Sequence, residues 1–370
     1  MRLVVFTTHP VQYFAPLFRE LASKVDLCVF YQKIPSASDQ GVGFGKAFTW
    51  DIDLLSGYKY EVLERPLDAP ESQEQAQLHP KMAKLLRDGD FDVALSLGWY
   101  CSYLRGAILT ARRLGIPVMV RGDSQHNPDQ GIMHRALKRM AYPILLRIFS
   151  AGLFTGERSR AYFRRYGFPD RKLFYSPHAI ETERFADTAS RTDKVQRRQG
   201  MGIEPHEKLL LFAGKLVPYK RPLVAVETIV ELRRLGISAR LVIAGTGPLE
   251  SDMLELAKRM DVPLKTLGFI NQSEMPEIYA TADALILPST PRETWGLVAN
   301  EALACGTPIV VSSEAGCSPD LCDGVAGTTG HGADAASYAL GLQRIWSKSD
   351  LSEAMKTVSD RHTMEVAARS

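Results

Sequence analysis

The chain reads as an α/β protein of two doubly wound, parallel-sheet domains, and three observations predict this. First, it has 370 residues, 45% hydrophobic and 24% charged. That is enough for two sizeable cores, and the composition excludes a disordered or fibrous chain. Second, short apolar runs bounded by Gly, Pro, Ser or Thr alternate with longer stretches of helical periodicity, the pattern of βαβ units. Third, residues 186–207 lose that periodicity and collect charge, Gly and Ser. This break predicts a linker at 186–207 between a domain over 1–185 and another over 208–370.

The first half offers strands at 2–6, 25–31, 93–97, 117–121 and 152–155, with helical stretches between them. The second half alternates more regularly. Strands are predicted at 208–213, 239–244, 264–267, 284–287 and 308–311, and helices at 221–235, 249–260, 274–282 and 297–304. In doubly wound domains ligands bind outside the carboxyl ends of the strands, so the chemistry belongs in the loops that follow them.

Several function classes drop out early. Lys and Arg number 45 against 42 Asp and Glu, a net +3 that gives no electrostatic footprint for nucleic acid. Cys28, Cys101, Cys305, Cys317 and Cys322 are scattered and odd in number, which suits reduced thiols in a cytoplasmic protein and fits no metal spacing. The apolar run at the N-terminus stops at Thr7, too short for a signal peptide or a spanning helix. Asp51-x-Asp53, Asp88-x-Asp90 and Asp90-x-Asp92 lie in polar stretches without a supporting carboxylate cluster, so no metal is expected.

The strongest chemical signal is LILPSTPRETWGLVANEALACGTPIVVSSEAG, residues 285–316. A buried strand ends near Pro288, a loop runs to Gly296, and a helix follows with Gly306 as its stop signal. Glu293 in the loop and Glu301, eight positions later on the second turn of the helix, can point toward one crevice. The amides of Gly296, Leu297 and Val298 at the helix start suit phosphate oxygens. The plain alternative is that Glu293 complements the helix dipole and Glu301 sits on a solvated face. In GKLVPYKRPL, Lys215 and Lys220 flank a loop leading into a helix, a placement that suits a pyrophosphate. AGTGPLE supplies Gly245 and Gly247 after a strand, but lacks the third Gly of a dinucleotide fingerprint.

Taken together and in order, these segments resemble the family 4 glycosyltransferases, retaining enzymes of GT-B architecture. The family's Glu-x7-Glu pattern and the run after it are similar to ETWGLVANEALACGTPIVV. FAGKLVPYKRP resembles its Gly-Arg-Leu-x-x-x-Lys-Gly loop, AGTGPLE its Gly-x-Gly-Pro turn, and LGFINQSEMPEIYATADALILPS its base-contacting loop, helix and strand. The match is close over about residues 150–320 and loose elsewhere. Two departures stand out: Lys215 replaces the usual Arg, and Arg221 the usual Gly.

The resemblance implies two Rossmann-like domains facing across a cleft, an acceptor-binding N-terminal one and a nucleotide-sugar-binding C-terminal one. It implies a hexosyltransferase of polysaccharide or glycolipid biosynthesis. Such an enzyme moves a sugar from a nucleotide diphosphate donor, UDP-sugar favoured over GDP-sugar, to a hydroxyl of a glycan, lipid-linked or small acceptor. Retention follows by front-side attack, in which a donor phosphate oxygen takes the acceptor proton, without a metal. Lys215 and Lys220 would hold the diphosphate, Glu293 the sugar and its developing positive charge, and Glu301 the ribose hydroxyls. Gly245 would lie close to the nucleotide, and Phe269 and Ile270 would hold the base. In the first half, His9 and Gln12 of THPVQYFAP would contact the acceptor. Asp123 of RGDSQHN would reach the donor sugar, with His126 as the competing candidate. The alternatives are a nucleotide-sugar epimerase of GT-B architecture and a non-catalytic GT-B scaffold.

Residues 105–172 hold 14 Lys and Arg against 4 Asp and Glu, a surplus of ten. Within them, MHRALKRMAYPILLRIFSAGLF mixes basic residues with an apolar run. It is either a core helix with a solvated basic side or a peripheral contact with anionic lipid at the inner face of a membrane.

Overall fold

The computed structural model describes residues 1–63, 81–127 and 131–369. The chain divides into two compact units. One comprises Met1–Ser36, Asp53–Pro177 and Met364–Ser370; the other comprises Ala37–Ile52 and His178–Thr363.

The first unit is built on a seven-stranded sheet, β3-β2-β1-β4-β5-β6-β7, whose pairings are all parallel. Its strands are β1 (Arg2–Thr7), β2 (Asp26–Tyr31), β3 (Lys59–Val62), β4 (Val93–Ser96), β5 (Val118–Gly122), β6 (Ala151–Phe154) and β7 (Leu173–Tyr175). The five apolar strands expected from the sequence are present within a residue or two of their predicted ends. β3 and β7 were not expected. Both lie at the sheet edges; KYEV is polar and solvated, and LFY is only three residues long, so neither offers the longer apolar run by which a central parallel strand is recognised. Helices pack on both faces, and Phe6, Phe30, Tyr103, Leu104 and Phe163 are among the side chains that fill one of the two resulting cores.

The second unit carries a six-stranded parallel sheet, β10-β9-β8-β11-β12-β13. Its strands are β8 (Lys208–Ala213), β9 (Ala239–Ala244), β10 (Leu264–Gly268), β11 (Ala284–Leu287), β12 (Ile309–Ser312) and β13 (Gly327–Gly330). β11 and β12 are buried at every position, as strands covered on both faces must be. The helices fall where their periodicity predicts: Pro222–Arg234, Glu250–Arg259, Met275–Thr281 and Val298–Ala304. β13, with the sequence GTTG, has no apolar signature and was not anticipated.

The domain boundaries differ from the expected ones. The division falls at Pro177/His178, and 186–207 is not a linker but part of the second unit, largely helical over Thr182–Ser190 and Lys194–Gly200. This stretch shows little periodicity because its helices are short and polar contacts help to hold them. Arg198, for example, donates to Asp283 Oδ2 at 2.8 Å and to the carbonyl of Thr281. The last residues return to the first unit, where Ser176 Oγ donates to the carbonyl of Ala367 at 2.9 Å. Ala37–Ile52 leaves the first unit for the second because its aromatic side chains close around Phe269.

Candidate active site

In each sheet the strand order reverses beside the first strand: β1 lies between β2 and β4, and β8 between β9 and β11. The carboxyl ends of the strands at such a switch point diverge into a crevice. In the second unit that crevice is formed by the loops after β8 and β11, which carry most of the candidate residues.

The loops are fixed to one another through backbone. After β8, Gly214 N–H donates to the carbonyl of Ala244 at 2.9 Å, and Leu216 N–H to that of Thr246 at 3.0 Å. Gly245 N–H donates to the carbonyl of Gly268 at 2.7 Å. A Cβ on Gly245 would lie 1.9 Å from the Gly214 carbonyl oxygen, and its φ is +152°, so only glycine allows this approach. Gly245 and Gly247 therefore serve first to bring two loops together. The loop after β11 is tied to the loop after β8 by Thr290 N–H, which donates to the carbonyl of Tyr219 at 2.8 Å.

These ties bring Lys220 and Glu293 into a direct ion pair, with side chains only 13% and 12% exposed. Ser289 Oγ also donates to Glu293 Oε2 at 3.2 Å. Burial pulls the Lys220 pKa down, but the charge and hydrogen bond of Glu293 outweigh it, and the net shift is upward. Lys220 therefore stays a cation across the physiological range. Among the described residues Lys215 has no such carboxylate. Its ammonium donates to the carbonyl of Val42, and burial together with the charge of Lys220 lowers its pKa. Neither lysine is a solvated surface cation.

Glu301 is 1% exposed. The helix begins at Val298, so Glu301 lies in its first turn and not its second. Its carboxyl accepts from Tyr279 Oη at 2.6 Å and from Gln272 Nε2 at 3.3 Å. The expected alternative of a solvated face is overturned. Gly296, at φ +103°, turns the chain into this helix, where a Cβ would meet Leu287 Cδ2 at 2.5 Å. Leu297 and Val298 open the helix, where the first amides have no intrahelical acceptor. Trp295, between Glu293 and Gly296, is buried. It donates from Nε1 to Asn300 Oδ1 at 2.8 Å and lies between the rings of His178 and His362. Among the described residues no three His, Cys, Asp or Glu side chains group as a metal site would require.

Arg221 adopts a left-handed backbone, φ +50°, immediately before the helix Pro222–Arg234. Its guanidinium donates to Glu314 Oε2 at 2.6 Å. Tyr279, Gln272, Ser289 and Glu314 carried no sequence signal, because each acts through a tertiary contact. Phe269 follows β10 and is ringed by Phe44, Phe48 and Trp50.

The first unit holds the remaining candidates on the loops after β1 and β5. His9 Nδ1 is 2.8 Å from Thr8 Oγ1, which in turn lies 3.2 Å from Tyr100 Oη; Gln12 is partly buried. Arg121, unmarked by the sequence, is buried and donates to the carbonyls of Ser176 and Pro177. Burial lowers its pKa to about 10 against the opposing charge of Asp123. Asp123 is partly buried and His126 exposed; burial and the charges of Arg165 and Arg135 lower the His126 pKa. The helix Ile132–Leu145 leaves Ile132, Met133, Leu137, Met140 and Ile144 exposed. It is therefore not the core helix that was one of the two expectations.

Residues 193–361 match the family described as glycosyl transferases group 1. An uncharacterized glycosyltransferase of Methanocaldococcus jannaschii is 29% identical over 208 residues, 54% of this chain and 53% of that protein. A D-inositol 3-phosphate glycosyltransferase of Geodermatophilus obscurus is 28% identical over 54% of this chain and 46% of its own. The chain thus spans about half the length of these two relatives. A GDP-mannose-dependent phosphatidylinositol monomannoside mannosyltransferase of Mycolicibacterium smegmatis is 27% identical over 70% of this chain and 69% of its own. Among solved structures, Anabaena HepE in complex with UDP superposes with a TM-score of 0.76 at 16% identity, over 100% of this chain and 98% of that one. The fold is GT-B.

Proposed function

From the match of residues 193–361 to the group 1 glycosyl transferases, we propose that the chain is a retaining, metal-independent hexosyltransferase. It transfers a sugar from a nucleotide diphosphate donor, UDP-sugar first and GDP-sugar second, to a hydroxyl of a glycan, lipid-linked or small acceptor. The observation that carries this reading is the buried Lys220–Glu293 pair at the switch point of the second sheet.

The reaction breaks the bond between the anomeric carbon and the diphosphate. Negative charge grows on the leaving phosphate, and positive charge grows on the sugar. Lys220, kept protonated by Glu293, sits where the leaving group needs a cation, and Lys215 and the amides of Leu297 and Val298 add to it. This supplies the charge stabilisation that a divalent ion would otherwise give. Glu293 holds Lys220 in place and accepts from sugar hydroxyls. A donor phosphate oxygen takes the acceptor proton as that hydroxyl attacks from the leaving-group face, so configuration is retained without a protein base. Glu301, held by Tyr279 and Gln272, accepts from the ribose. His9, Gln12, Asp123 and His126 are the acceptor and sugar contacts of the first unit. Transfer is favoured over epimerisation or a scaffold role because both the lysine and glutamate pairs are kept and the matched family consists of transferases.

A thermal-unfolding panel of UDP-, GDP- and dTDP-sugars tests this. A ligand at a hundredfold its Kd adds about 2.7 kcal/mol to stability, so a UDP-sugar is expected to raise the midpoint by several degrees, undiminished by EDTA. No shift with any member, or a shift that needs a divalent cation, contradicts the reading.

The first unit also supports peripheral attachment to anionic lipid. Met133, Leu137, Met140 and Ile144 form one stripe on the helix Ile132–Leu145, exposed by 64–84%. Arg135, Lys138 and Arg139 lie on the same helix. Apolar insertion joined to charges worth about 1 kcal/mol each near an anionic surface predicts flotation with phosphatidylglycerol vesicles and not with phosphatidylcholine ones. A Met133→Glu/Leu137→Glu variant should remain unbound; equal binding to both vesicle types would refute the attachment.

A further inference from the structure

The carboxyl end of the second sheet is already occupied by part of the chain itself. Ala37–Ile52 follows β2 in sequence yet belongs to the second unit, and it touches three loops in turn. After β8, Lys215 Nζ donates to the carbonyl of Val42 and lies 4.9 Å from the centre of the Phe44 ring. Between Gly245 and Gly247, Thr246 Oγ1 donates to the carbonyl of Phe44 at 2.7 Å. After β10, Phe48 packs on Phe269 with ring centres 4.2 Å apart and planes tilted by 36°, Phe44 meets it edge-on at 5.1 Å, and Trp50 flanks it at 6.4 Å. Asn271 Nδ2 donates to the carbonyl of Thr49 at 2.8 Å, and Ser273 donates to Asp51 from both backbone and side chain.

The proposed function gives the donor's diphosphate to the Lys215 ammonium, and the family resemblance gives the nucleotide to the Gly-x-Gly turn and the base to Phe269. We propose that Ala37–Ile52 is a strap that occupies the donor's seat, so that a sugar nucleotide binds by displacing it. This rests on the reading of the site given above.

The chemistry of the contacts favours such an exchange. The strap gives Lys215 one neutral carbonyl and an aromatic face, whereas a diphosphate gives it formal charge, and charge-assisted hydrogen bonds are about twice as strong as neutral ones. The lowered Lys215 pKa agrees with a cation held without a counter-charge. The strap's turns are also closed within the strap itself, where Trp50 N–H donates to Gln40 Oε1 at 3.3 Å. Gly43 and Gly45 have positive φ, and Phe48 N–H closes the loop on the carbonyl of Ala37 at 3.1 Å. The strap can therefore leave without dismantling the sheet behind it. Its aromatic contacts and the Asp51–Ser273 bonds set an energetic threshold that a nucleotide must exceed, so sugar nucleotides would be selected by diphosphate and base together.

The test uses the full chain, with UDP and GDP as probes. When a ligand competes with an occupied state, its apparent Kd is the intrinsic one divided by the open fraction. Removing the clamp with Phe48→Ala/Asp51→Ala is expected to lower the Kd of the favoured nucleotide about tenfold by calorimetry, with a circular dichroism spectrum like wild type. In the wild type, nucleotide should speed hydrogen exchange of amides 37–52. An unchanged or weaker Kd in the double variant, or slower exchange in the strap on adding nucleotide, overturns the proposal, the last meaning that the strap closes over the ligand. If nucleotide binding is lost in Lys220→Ala but unaffected by loosening the strap, the donor site stands and only the strap's role falls. If neither nucleotide binds any folded form, both fall.

Discussion

Replacing Lys220 with alanine is expected to lower sugar transfer about a hundred- to a thousandfold, the usual effect of removing one pre-organised group that meets charge in the transition state. The loss should appear mainly in kcat, because the interaction strengthens as charge moves onto the leaving phosphate. The pairing with Glu293 adds a second effect. Both side chains are nearly buried, and removing one partner leaves the other charge uncompensated, a change that typically costs about 3–5 kcal/mol of stability. Kinetics are therefore read at a temperature where the variant is folded, confirmed by its unfolding curve. Glu293→Gln alone and combined with Lys220→Ala completes a cycle. If the two residues act as one unit, the double variant should be little worse in transfer than the poorer single one and more stable than Lys220→Ala. Transfer by Lys220→Ala within a few-fold of wild type would place the diphosphate elsewhere.

How much of this was legible in the sequence depended on whether a feature is local. The central strands declare themselves because a parallel strand covered on both faces must be continuously apolar, as LLLFA, ALIL and IVVS are. The edge strands KYEV and GTTG carry no such demand and were missed. The glycines that shape the site were visible as turns, but their reason was not: Gly245 is fixed by the oxygen of Gly214, thirty-one residues earlier. The motif order located Lys220, Glu293 and Glu301 but could not show that the first two pair or that the third is buried against Tyr279 and Gln272. Arg221 shows the converse. Its departure from the family's usual glycine was visible in the sequence, but its consequence was not. The backbone there is left-handed, a conformation that glycine adopts without strain, and here the ion pair with Glu314 offsets the strain. The boundary at 186–207 was misplaced because a polar helix and a linker have similar composition, and the strap was invisible because it lies within what reads as one domain.

The second large effect is expected at Glu301, where structural and binding roles can be separated. Glu301→Ala removes the acceptor of a buried tyrosine hydroxyl and of a glutamine amide, each costing about 1–3 kcal/mol when unsatisfied, and leaves a cavity besides. Its melting temperature should fall by several degrees. Glu301→Gln keeps the volume and one acceptor for Tyr279, but turns an amide toward Gln272 and offers the ribose less acceptor capacity. It should melt much closer to wild type. Hydrogen bonds to a charged group contribute about 1.5–3 kcal/mol, so the UDP affinity of both variants should drop about ten- to a hundredfold. If affinity instead follows stability, normal in Gln and reduced only in Ala, then Glu301 acts on the nucleotide only by holding the helix Val298–Ala304 against Tyr279. Nucleotide recognition would then rest on Lys220 and the loop amides alone, since a buried carboxyl engaged by its own fold would have made no bond to the donor.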